Sequence, residues 1–185
     1  HNTGHSFPTR RSSDLAAGPN GAKPHAEAGR DKVRAGRPIV VDFGARCDGY
    51  CSDLTRTVWL GRMTRQFRDI YKICLEAQLA GIAAVRSGVC VRDVDAAARG
   101  VIVKAGLGQY FVHSLGHGIG LEVHEAPAVS RLADTTLESG MIVTVEPGIY
   151  VPGVGGVRIE DDVLVAGPGA RVLSDLPKAI DDVIW

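Results

Sequence analysis

The stretch Pro38-Ile-Val-Val-Asp42-Phe-Gly-Ala-Arg-Cys-Asp48-Gly49-Tyr-Cys-Ser-Asp53-Leu-Thr-Arg-Thr-Val-Trp59 reads as two β-rich segments about a turn. Val33–Gly44 carries the apolar run from Pro38 to Phe43, Tyr50–Leu60 carries Thr55, Thr57, Val58 and Trp59, and Arg46-Cys47-Asp48-Gly49 between them is turn-like. Asp42 therefore lies inside an apolar strand, where an uncompensated carboxylate is costly to bury. A four-residue loop flanked by Ala45 and Tyr50 would set Asp42 directly opposite Asp53, with Cβ atoms about 4.5–5.5 Å apart. A two-residue Asp48-Gly49 turn would leave the two diagonal on one face. The same construction applies to Glu146 and Glu160, which are symmetric about Gly153 in Pro152-Gly153-Val154-Gly155. Two hairpins would then each present a carboxylate pair.

Outward from the first hairpin, apolar residues recur at Phe67, Ile70, Tyr71, Cys74, Leu75, Leu79 and Ile82, which predicts a helix over Thr64–Arg86 with Gly88 as its stop. Val94, Ala97, Val101 and Ala105 form one stripe of a second helix, Val91–Ala105, ended by Gly106. Tyr110–Pro127, broken by Gly116, Gly118 and Gly120, predicts a loop or irregular strand. Short β pieces follow at Met141–Val145, Ile149–Val151, Val157–Ile159 and Val163–Val165. Helices bracketed by antiparallel hairpins indicate an α+β domain.

His113, His117 and His124 fall within a Gly-punctuated stretch, a concentration that favours a site over isolated structural histidines. Four clustered carboxylates would repel one another and drive their pKa values upward, whereas two divalent cations would cancel their formal charge. Oxygen ligation with one imidazole suits manganese, cobalt, iron or zinc better than copper. The bland alternative pairs Asp42 and Asp53 with Arg56 and its neighbours and leaves Glu160-Asp161-Asp162 as a solvated acidic turn.

Bulk properties narrow the classes. The chain has 185 residues, 45% of them hydrophobic, enough for one core. Lys plus Arg equals Asp plus Glu at 21 each, so no global field marks it for nucleic acid or anionic lipid. No run approaches the roughly 18 apolar residues of a membrane span, and a cytoplasmic location with no membrane partner is expected. Cys47, Cys51, Cys74 and Cys90 lack zinc-knuckle spacing and are expected as reduced packing thiols. Residues 1–15 are polar and aperiodic, and His5–Leu15 is similar to an in-frame translation of a sequencing-library adapter. They are expected to be a non-native or disordered tail, with the catalytic domain over 16–185.

Six motifs stand in order: Asn20-Gly-Ala-Lys-Pro-His25, Asp42-Phe-Gly-Ala, Gly49-Tyr-Cys-Ser-Asp53-Leu-Thr-Arg-Thr57, His113-Ser-Leu-Gly-His117-Gly-Ile-Gly-Leu-Glu-Val-His124-Glu-Ala-Pro127, Thr144-Val-Glu146-Pro-Gly-Ile-Tyr150 and Gly156-Val-Arg158-Ile-Glu160-Asp161. Together they resemble the Xaa-Pro aminopeptidase and Xaa-Pro dipeptidase (prolidase) family of pita-bread metallopeptidases, family M24. The resemblance implies a curved antiparallel sheet covered by helices, incomplete at its N-terminal end, and two divalent metal ions, manganese foremost with cobalt, zinc or iron as options. It places the ligands at Asp42, Asp53, His117, Glu146 and Glu160: Asp42 on one ion, His117 and Glu146 on the other, Asp53 and Glu160 bridging. It implies catalytic roles for His25, His124 and Glu146, a substrate-binding His113, and Arg158 behind the bridging glutamate. The implied reaction is hydrolysis of an N-terminal Xaa-Pro bond in a proline-containing peptide, by a parent expected to be a homodimer. A methionine aminopeptidase-like enzyme and a catalytically silent homologue acting as a binding protein are the alternatives.

Overall fold

The computed structural model describes residues 10–24 and 32–185. Strand β1 (Arg10–Ala17) leads, through a short 3-10 turn, to the hairpin β2 (Pro38–Cys47) and β3 (Tyr50–Trp59). Helices α1 (Arg65–Ala84) and α2 (Val91–Lys104) follow, within a residue or two of their predicted spans. The rest is short strands: β4 (Gly116–Gly118), β5 (Glu125–Val129), β6 (Ile142–Val145), β7 (Gly148–Val151), β8 (Gly155–Arg158), β9 (Asp161–Val165) and β10 (Ala170–Val172). They assemble into sheets ordered β1-β2-β3, β10-β9-β6-β4-β5 and β7-β8, with antiparallel pairing throughout.

The first hairpin turns on two residues, because Cys47 pairs with Tyr50. Asp48 at φ 50° and Gly49 at φ 90° supply the two left-handed conformations that such a tight turn needs. This selects the diagonal arrangement: Asp42 faces Thr55, and Asp53 faces Gly44. The β7–β8 hairpin keeps the register symmetric about Gly153, with Gly148 on Arg158 and Val151 on Gly155. Its ladder stops there, so Glu146 and Glu160 lie just beyond the last pair.

Thr64 caps α1, its hydroxyl accepting from Phe67 N at 3.4 Å. One face of α1 buries Phe67, Ile70, Tyr71, Cys74, Ala77 and Gln78, and α2 buries Val91, Val94, Ala98 and Ile102. These join Trp59, Leu115, Val143, Val145, Ile149, Val157 and Ile159 in one core. Trp59 packs edge-on to Tyr71 at 5.6 Å, and the C-terminal segment closes over it through Trp59 N to Val183 O. The helices thus cover one side of the strands and leave the carboxylate-bearing side open.

The N-terminus adds a strand. Residues 10–15, set within an excluded tail, belong to β1, which pairs with β2 from Arg10 on Arg46 to Ala17 on Ile39. The exposed edge of β2 presents backbone N–H and C=O groups that an extended segment satisfies without any alternating pattern of its own. His25 lies outside the described residues.

Candidate metal centre

Five segments of the chain converge on one point. Ligand atoms of Asp42, Asp53 and Glu160 lie within 4.8 Å of one another, and so do those of His117, Glu146 and Glu160. Glu160 belongs to both groups, and Asp53 also groups with His117 and His124. Asp42 and Asp53 come from adjacent strands on one face, His117 from β4, Glu146 from the β6–β7 junction and Glu160 from the β8–β9 junction. Short connections between these strands place the two glutamates at matching positions.

His117 is presented in a defined tautomer. Its Nδ1 lies 3.0 Å from the Gly118 carbonyl, so Nδ1 carries the proton and Nε2 is the acceptor, 3.4 Å from Glu146 and 3.9 Å from Asp53. Burial lowers its pKa, which favours the neutral ring a metal requires. Thr144 orients two candidate ligands at once: its hydroxyl accepts from His117 N at 3.1 Å and donates to Glu146 Oε1 at 3.4 Å. This proximity needs Gly116, where a Cβ would overlap the Thr144 carbonyl.

The carboxylates are electrostatically crowded. Burial, with Asp42 and Asp162 nearby, pushes Asp53 up to about 7. Burial raises Glu146 to about 8 and, with Glu146 beside it, holds Glu160 well above the carboxylate range. Arg158 offsets part of this charge. It is ion-paired with Asp42, donates from Nε to Thr55 Oγ1 at 3.1 Å, and donates from Nη1 to Tyr150 Oη at 3.0 Å and Pro24 O at 2.8 Å. Thr55 in turn donates to Glu160 Oε2 at 2.6 Å. One cation against four carboxylates leaves a net negative cluster, and the neutral imidazole beside it offers a lone pair. This donor set fits divalent cations.

These residues floor a cleft of about 710 Å³ that His113, His124, Ser52, Cys51 and Arg46 also line. His113 Nε2 meets Tyr150 Oη at 3.0 Å and its Nδ1 meets Ser114 O at 2.7 Å. The His124 ring stands 4.3 Å from that of His117. Its loop is held by the tip of the β2–β3 hairpin, where Arg46 donates to Leu121 O at 2.7 Å and Cys51 N donates to Gly120 O at 2.7 Å. All the proposed site residues except the undescribed His25 therefore converge on one cleft.

The salt-bridge alternative fails in its partner: Arg56 pairs with Asp161, and Asp42 is ion-paired with Arg158 instead. Nor is the acidic run solvated, since Glu160, Asp161 and Asp162 are all buried. Arg158 reaches the glutamate only through Thr55, while its direct carboxylate partner is Asp42. Thr55, Thr144 and Asp162, whose Oδ2 accepts from Asp53 N at 3.1 Å, received no role from the sequence. For Thr55, the two-residue turn was the available signal, because it puts this residue opposite Asp42.

The model of metallopeptidase family M24 matches residues 2–167. The chain belongs to that family. Among curated M24 relatives, a Xaa-Pro dipeptidase of Pyrococcus furiosus is 45% identical over 160 residues, covering 86% of this chain and 46% of the relative. Among solved structures, a Xaa-Pro dipeptidase from Bacillus anthracis superposes with a TM-score of 0.93 at 47% identity, covering 96% of this chain and 50% of that one. An X-Pro aminopeptidase from Thermotoga maritima gives 0.89 at 42% identity, covering 94% and 48%. The chain thus spans about half the length of the M24 proteins it matches, and its pita-bread architecture is theirs.

Proposed function

We propose that this chain is the metal-binding catalytic part of an exopeptidase that hydrolyses N-terminal Xaa-Pro bonds with two divalent cations. The observation that carries this is Glu160, shared by two three-donor groups at the floor of one cleft. Asp42, Asp53 and Glu160 would hold one ion and His117, Glu146 and Glu160 the other. Cations bound there would polarise the scissile carbonyl and acidify water.

The chain's own groups then have separable tasks. Glu146, held by Thr144, would accept a proton from the attacking water. His124, on the cleft wall beside His117, is placed to donate toward the oxygen on which negative charge develops. His113 lines the outer cleft with its ring fixed by Tyr150 and Ser114, a rigid surface for the residue after the scissile bond. Arg158 fixes Asp42 directly and Glu160 through Thr55. Manganese is our first choice of ion, because carboxylate oxygens dominate the donor set. The unpaired thiols, with Cys47 exposed, support a reducing, cytoplasmic setting.

The test is hydrolysis by the full chain, stripped of metal and then supplied with manganese, cobalt or zinc, of Xaa-Pro dipeptides and Xaa-Pro-Xaa tripeptides. Metal-restored cleavage is the expected result, and cleavage of dipeptides alone would assign a dipeptidase. Cleavage of N-terminal methionine in preference to Xaa-Pro would transfer the assignment to a methionine aminopeptidase. Inactivity toward every peptide under every metal, in this chain and in a parent of the relatives' full length, would sink the enzymatic reading in favour of a binding protein.

A further inference from the structure

Behind the proposed metal ligands lies a second charged cluster that the chemistry above does not use. Asp161 is fully buried on β9, facing away from the cleft because successive strand residues alternate sides. Its Oδ1 accepts from Arg56 Nη2 at 2.7 Å, and its Oδ2 accepts from Gln78 Nε2 of α1 at 2.8 Å and from Lys178 Nζ. Lys178 Nζ also donates to Gln78 Oε1 at 3.0 Å, and Tyr71 Oη donates to the Lys178 carbonyl at 2.9 Å. A helix, two strands and the C-terminal segment meet at this one carboxylate.

Arg56 is the link to the site. A guanidinium has five N–H donors, and each finds an acceptor here. Nε donates to Pro177 O at 3.2 Å. Nη1 donates to Thr55 O at 3.0 Å and Glu160 O at 2.6 Å. Nη2 donates to Asp161 and to Leu176 O at 2.7 Å. Glu160 N donates in turn to Thr55 O at 3.1 Å, and the Thr55 hydroxyl donates to the Glu160 carboxylate. Glu160 is thus gripped by its N–H, its carbonyl and its side chain, and Arg56 holds two of the carbonyls that define this grip. No other residue type can span these acceptors: lysine offers three donors from a single point, without the planar fork.

We propose that the Arg56–Asp161–Lys178 cluster, closed by the C-terminal segment Leu176–Lys178, is the positioning element for the shared metal ligand Glu160. It rests on the metal reading above and extends that reading to residues that touch neither metal nor substrate. Fixing the backbone of a shared ligand from behind sets the separation of both donor groups, so loosening it should weaken metal binding more than it weakens substrate binding. A merely structural cluster would lower thermal stability and leave the metal affinity of the folded fraction unchanged.

The experiment is calorimetric titration of manganese into the metal-free full chain, carried out well below the melting temperature. Wild type is compared with Asp161→Asn, which keeps the shape and removes the charge, and with Lys178→Met, which removes the partly exposed partner. If Asp161→Asn fails to fold, Lys178→Met carries the test, because its side chain lies at the edge of the cluster. The expected result is two manganese sites in wild type and roughly 10–100-fold weaker affinity in the variants, the range typical of groups supporting a metal ligand. The kcat of folded variants should fall with little change in KM. Wild-type affinity in folded Asp161→Asn or Lys178→Met would overturn the positioning role and leave the metal reading intact. No manganese binding by wild type would overturn the metal reading and the positioning role together.

Discussion

The Thr55 hydroxyl lies 2.6 Å from Glu160 Oε2 and, from the other side, accepts the Arg158 Nε proton at 3.1 Å. Thr55 is fully buried, so neither neighbour can exchange it for bulk water. Thr55→Val keeps the shape and deletes both bonds. The expected cost is about 1–3 kcal/mol of stability, from leaving a buried donor and acceptor unpaired. Metal affinity should drop with it. Denaturant melts paired with manganese titration check this, and unchanged values in both would remove Thr55 from the site.

The crowded carboxylates make the metal-free protein pH-sensitive in a defined direction. Asp53 rises from 3.8 to about 7 and Glu146 from 4.5 to about 8 on folding, so the folded state holds protons that the unfolded chain has released. Stability of the metal-free form is therefore greatest below the unfolded values and falls as pH rises from about 4 toward about 8. Manganese competes with those protons, so the stabilisation it confers grows over the same window. Thermal melts at about pH 5 and about pH 8, with and without manganese, read both slopes. A manganese increment independent of pH would argue against binding at Asp53 and Glu146.

Glu146 is asked to be both ligand and proton acceptor. Glu146→Ala should reduce kcat by at least about 100-fold, the lower end for loss of a positioned acid–base group. Steady-state rates at saturating metal decide it, and near-normal turnover would refute the assigned role.

Gly116 stands where a side chain would collide with the Thr144 carbonyl. Gly116→Ala must separate β4 from β6 and carry His117 away from Glu146. Overpacking of this kind costs about 1–3 kcal/mol. The folded variant should also lose metal affinity, measured by the same titration as for Thr55. Normal stability would mean that the strands can shift freely here.

Much of the candidate site was legible because its residues sit at local periodicities. Asp42 broke an apolar strand, Glu146 and Glu160 were mirror-placed about Gly153, and three histidines crowded a glycine-rich stretch. Helices α1 and α2 were legible from their apolar stripes, since an amphipathic face is written every third or fourth residue. Strand β1 was not, because an edge strand joins through backbone groups that every residue type carries.

The sequence by itself determined which carboxylates share a hairpin and which imidazoles lie near them, since turn residues and the two-residue pleat are local properties. Tertiary structure alone decided the partner of Arg56 and the burial of Asp161 and Asp162. It also gave Thr55 and Thr144 their tasks. These depend on pairing across tens of residues, where a hydroxyl or carboxylate is as compatible with solvent as with a partner until packing removes the water. The acidic run Glu160-Asp161-Asp162 is the clearest instance: its local pattern is that of a solvated turn, and only the helix and C-terminal segment packed behind it turn one carboxylate toward the cleft and the next toward Arg56.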